Sequence, residues 1–137
     1  LLYYSDDDAK TPEQFWKSYS RRLYEEEKPF LKADDAIKKL AAELISGAAT
    51  EEEKLDRLDV YCKTKIKNIF SESSGYTAEQ RRDFKPNKSP SQTVKQGAGT
   101  ARDISLLFAA LASAAGFETH LTRVPDRGDT FFNTQVP

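Results

Sequence analysis

The sequence predicts an α+β domain, and three observations carry that expectation. Residues 12–69 hold three successive stretches with apolar side chains at helical spacing. Residues 101–115 form one helix that is apolar or small on nearly every side. Residues 117–124 (FETHLTRV) follow it as a strand. At 137 residues, 38% hydrophobic and 31% charged, the chain suits one domain with a modest core and a polar surface. We divide it into a linker, residues 1–10, and a domain, residues 11–137.

The first helix is expected to begin at Thr11-Pro12, with Thr as N-cap, Pro at the first helical position and Glu13 in the first turn. Phe15, Trp16, Tyr19 and Leu23 give it an aromatic stripe, and Pro29 predicts an end near Lys28. A second helix starts near Asp34 and carries Ile37, Leu40, Ala41, Leu44 and Ile45, with Gly47 as its stop. In the third, Thr50 and Glu53 are spaced as a capping box, and Leu55, Leu58, Cys62, Ile66 and Ile69 form the apolar stripe. Cys62, the only cysteine, permits no internal disulfide. Mid-helix on an apolar stripe, it reads as a small buried hydrophobe and not as a nucleophile.

Residues 71–88 read as a long surface loop broken by Gly75 and Pro86. "SPSQTV" then opens a short helix, with Ser89 as cap, Pro90 first and Gln92 completing a capping box. "KQGAGT" is a glycine turn into the helix of residues 101–115, whose only charged residues, Arg102 and Asp103, lie in its first turn. Such a helix is expected to be buried on all sides. Its N-terminus carries unpaired N–H groups and a partial positive charge. A cysteine placed there would ionise readily, and the N–H groups could hold an oxyanion. The residues at that point are Thr100 and Ala101, which supply no thiol. The plainer reading, a packed core helix behind a glycine turn, needs only Thr100 as N-cap.

The stretch G-x-x-A-R-D-I-S-L-L-F-A-A-L-A-S-A-A-G-F resembles the core motif of the bacterial transglutaminase-like family, which has the papain-like thiol-hydrolase fold. The resemblance covers roughly residues 30–135. It implies a buried central helix packed on an antiparallel sheet that continues past Pro137, and a catalytic cysteine at the position of Ala101. Gly99, Thr100, Arg102 and Asp103 would line that site. The family histidine falls at Thr134, within Phe132-Asn133-Thr134, and the third catalytic residue lies beyond the chain. His120, the only histidine, is expected at the surface or a strand edge, and a Thr100–His120 pair is not expected to replace the lost chemistry.

The resemblance therefore implies a catalytically inactive domain that binds protein or peptide, or spaces a larger protein, with no cofactor and no metal. One rival is an active acyl-transfer or amide-hydrolysing enzyme whose cysteine was replaced by engineering, against which the missing histidine at Thr134 argues. The other is a helical interaction domain without hydrolase ancestry. The net charge of −1 gives no electrostatic reason to bind nucleic acid. No apolar run reaches the ~20 residues of a membrane span, so no direct membrane contact is expected. The sequence begins at Leu1 and has no methionine, which suggests a piece of a longer protein. An open sheet edge would then invite a homodimer. Relatives are often exported, so the resemblance favours the periplasm or cell envelope.

Overall fold

The computed structural model describes residues 11–122, in two compact units. One is Phe30–His120, and the other is described through residues 11–29 and 121–122. The expected linker (residues 1–10), Thr134 and the end of the FETHLTRV segment lie outside the described residues.

Helix α1 (Pro12–Leu31) crosses the boundary between the units. It runs through Pro29 instead of ending at Lys28. The correction has a simple reason: a proline removes one helical hydrogen bond, and the helix continues only two residues past it, so little ladder is lost. No residue of α1 is buried. Within its first two turns Phe15 stacks on Tyr19 with ring centroids 5.9 Å apart, and both meet Trp16 edge-on.

The second unit is built on α2 (Asp35–Ile45), α3 (Glu51–Lys65), α4 (Ala78–Asp83), α5 (Pro90–Gln96) and α6 (Ala101–Ala114). α6 packs against α2, α3 and α5. The core joins Ile37 and Ala41 of α2, Leu58 and Cys62 of α3, and Leu107, Ala110, Leu111 and Ala112 of α6. The alanines let the helix backbones close up, as their spacing implies. α6 ends in a Schellman motif: Phe117 N–H donates to Ala112 C=O at 3.0 Å and Gly116 N–H to Ser113 C=O at 3.1 Å, while Gly116 takes φ +94°.

Caps largely follow the expected positions. Asp34 accepts from Ile37 N–H, Thr50 from Glu53 N–H and Ser89 from Gln92 N–H. Glu53 and Gln92 reach back one residue further than the usual box, to the N–H groups of Ala49 and Lys88, both at 2.8 Å.

Three expectations need correction. α3 stops at Lys65, so Ile66 is buried from extended backbone and Ile69 from a turn, and neither from a helix stripe. Between them β1 (Lys67–Asn68) pairs with β2 (Ala98–Gly99), the turn before α6. This two-strand sheet is parallel, and the residues between its strands form a long helical crossover, the connection parallel pairing requires. The stretch of residues 71–88 is not one loop: a 3₁₀ turn (Glu72–Ser74) and α4 interrupt it, α4 closed by a Thr77–Gln80 capping box. Residues 117–122 adopt no strand, so the described residues supply no antiparallel sheet against α6.

α6 itself is not buried all round. Ala101, Arg102, Ser105 and Ser113 are exposed, and Ile104 and Phe108 are half-buried. The two serines mark the exposed side, which the uniform smallness of the sequence concealed.

Candidate functional site

The residues singled out in the sequence come together at the N-terminus of α6. Thr100 is the N-cap, with extended backbone, and Ala101 is the first helical residue, exposed. Thr100 and Asp103 form a reciprocal capping box. The Asp103 N–H donates to Thr100 Oγ1 at 3.2 Å, and Asp103 Oδ2 accepts from the Thr100 N–H at 2.9 Å and its hydroxyl at 3.0 Å. Thr100 is thus engaged with Asp103, not with His120. His120 lies exposed with Nε2 3.1 Å from Glu118 Oε1.

Asp103 is only 2% exposed and also ties the helix start to another segment. Its second oxygen, Oδ1, accepts from the backbone N–H of Asn87 at 3.2 Å. Asn87, 3% exposed, donates through Nδ2 to Ala98 C=O at 2.9 Å. One buried carboxylate therefore ties the helix start to the segment before α5, and one buried amide ties that segment to β2. Sequence reasoning missed Asn87, because Pro86-Asn87 reads as a surface turn.

Gly99 explains why this clasp closes. A Cβ at that position would stand 2.8 Å from Asp103 Cβ and 3.1 Å from Asn87 Nδ2. Only a residue without a side chain lets the β2 backbone approach so closely. Arg102 points elsewhere: its guanidinium lies 4.8 Å from the centroid of the Phe30 ring.

The chemistry this arrangement offers is limited by Ala101, whose methyl group can neither attack nor transfer a proton. The one thiol of the chain, Cys62, is buried in the core, and its burial, with Asp59 nearby, pushes it up to about 12. It is not a substitute nucleophile. Among the described residues no cluster of His, Cys, Asp and Glu could hold a metal ion. A groove of about 530 Å³ is lined by Thr50, Glu52, Glu53, Leu55, Asp56, Asp59 and Phe108, and none of Gly99, Thr100 or Ala101 borders it.

A glycine turn, a capped helix start and a core helix of small residues closed by glycine are compatible with a transglutaminase-like core, and the family comparison supplies the assignment. The model of the transglutaminase-like superfamily matches residues 38–130, well over half of the chain. The chain belongs to that superfamily. No curated protein and no solved structure matches it.

Proposed function

We propose that this chain is a non-catalytic member of the transglutaminase-like superfamily that binds a protein or peptide, or acts as a spacer in a larger bacterial envelope protein. The observation that carries the reading is the contrast at the start of α6. The Thr100–Asp103 box, the Asn87 clasp and the close approach at Gly99 are intact around an exposed Ala101. The platform is retained where the nucleophile is not. In the same reading Thr134 occupies the histidine position, so the loss involves more than one residue.

The test is an Ala101→Cys variant, made in the chain as given and in one extended by its native downstream sequence. Cys62 makes a silent background, since the fold withholds its thiol. A helix N-terminus alone lowers a thiol pKa, so alkylation rate by itself decides little. Turnover does decide: we expect no cleavage of an amide substrate and no acyl transfer to an amine from either variant. Turnover by the extended Ala101→Cys protein would overturn the reading, because it requires a base that Thr134 cannot provide.

A further inference from the structure

Helix α1 carries a charge order that its own stability does not explain. Lys17, Arg21 and Arg22 precede Glu25, Glu26 and Glu27 along it. Neither block lies in the first or last turn, where the helix dipole acts, so the dipole does not account for this order. Pairs with Arg four residues before Glu also use the weaker orientation for bridging within a helix. Only Glu13 and Lys28, at the ends, follow the dipole.

Arg21, Arg22, Glu25 and Glu26 are exposed. Among the described residues no ion pair joins Arg21 or Arg22 to Glu25 or Glu26. The bridge found in this helix is Lys28–Glu25 at 3.9 Å, and Arg22 lies over the Tyr19 ring at 5.5 Å. Along the same helix Phe15, Tyr19 and Leu23 are half-buried, and nothing is fully buried.

We infer that α1 pairs antiparallel with α1 of a second copy of this chain, crossing near Leu23. Leu23 stands midway between the basic and acidic blocks, so an antiparallel partner brings Arg21 and Arg22 of each chain beside Glu25 and Glu26 of the other. The antiparallel arrangement also opposes the two helix dipoles. A parallel pair would set like charges side by side, which is strongly unfavourable. Leu23 and the Tyr19 ring supply apolar surface at the crossing. The interface uses none of the residues at the start of α6, so it stands or falls independently of the proposed loss of catalysis.

The experiment is analytical ultracentrifugation of the whole chain, with two charge-reversed variants. One carries Arg21→Glu and Arg22→Glu, the other Glu25→Arg and Glu26→Arg. The unaltered chain is expected to sediment as a dimer of twice 15.5 kDa, in a concentration- and salt-dependent equilibrium. Each variant alone, with like charges at residues 21, 22, 25 and 26 on either side of the crossing, is expected to dimerise at least about tenfold more weakly. Mixing the two is expected to restore a heterodimer, which also shows that both variants fold. A cysteine at Tyr24, near the crossing, is expected to form an intermolecular disulfide, and one at Ser18 is not. A monomer at millimolar concentration overturns the inference. So does a dimer indifferent to both reversals, which would point to a sheet edge, and so does equal cross-linking at the two positions, the mark of a parallel pair.

Discussion

The start of α6 and the length of α1 are held by different kinds of interaction. At α6 a 2%-exposed carboxylate, a 3%-exposed amide and a glycine backbone converge, the amide of Asn87 coming from 16 residues before Asp103. Along α1 the described contacts up to Pro29 are local, neighbouring aromatic rings and cations over rings one turn away, and only Phe30 near its end meets a distant residue, Arg102 of α6. Local contacts are individually weak and compete poorly with the entropy of ordering the chain. Convergent buried ones fail together when one is removed. The first region should therefore be sensitive to single atoms, and the second should tolerate change.

The largest expected effect comes from paired leucine truncations. Leu107 is 0% exposed in the core, between α2 and α3, so Leu107→Ala should cost about 2–5 kcal/mol. Leu23 on α1 is half-buried, and Leu23→Ala should cost less than about 1.5 kcal/mol in dilute solution, where no second copy covers it. Denaturant midpoints of the two variants measure the difference. Equal losses would mean that α1 belongs to the cooperative core and that the contrast is false.

The contrast also separates what the sequence made legible. Helices α2, α5 and α6 were readable because start and stop signals agree at each, while the start of α3 was readable from its Thr50 cap and its end was not, because Ile66 and Ile69 continue the apolar spacing. Thr100 as N-cap and Cys62 as a buried hydrophobe were readable because each role depends on near neighbours. The β1–β2 pairing was not readable: two-residue strands have no period, and their partners lie about thirty residues apart. Asn87 was hidden for the same reason, since its burial depends on Asp103 and Ala98, both distant in sequence. Asp103 was noticed for its place in the family motif. Its role as a tie needs the position of Asn87, which no local pattern supplies.

A sharper test of the clasp is Gly99→Ala. The added methyl meets Asp103 Cβ at 2.8 Å, an atom anchored to the helix backbone, so β2 or the first turn of α6 must move. We expect a loss of about 1–3 kcal/mol, typical of overpacking. Asp103→Ala should cost a comparable amount, because the N–H groups of Asn87 and Thr100 then lose their acceptor. The diagnostic readout is amide exchange: Asn87 and Thr100 should lose protection in both variants while Leu58 in the core keeps it. Retained protection at Asn87 in Asp103→Ala would show that the carboxylate does not hold that segment.

The smallest effect, absent at neutral pH, concerns the two thiol positions. The Cys62 thiol is raised to about 12 in the folded chain, chiefly by burial, and an unfolded thiol ionises near about 8.5. The fold favours the protonated form, so the contribution is complete below about pH 8.5 and is lost as pH rises towards 12. Cys62→Ala should therefore lose stability less steeply than the unaltered chain above about pH 8.5. The Tyr61 hydroxyl is raised chiefly by burial, which is common to both proteins, and secondarily by the Cys62 thiolate, a smaller part that disappears with Cys62 and adds to the difference in the same direction. Parallel stability curves for the two proteins across that window would mean that the thiol ionises freely in the folded state. An Ala101→Cys chain completes the comparison. At the exposed first turn of α6 its new thiol should react with a disulfide reagent in the native state, while Cys62 reacts only on unfolding. That would leave the chain with its one natural thiol buried in the core and alanine where a thiol could react.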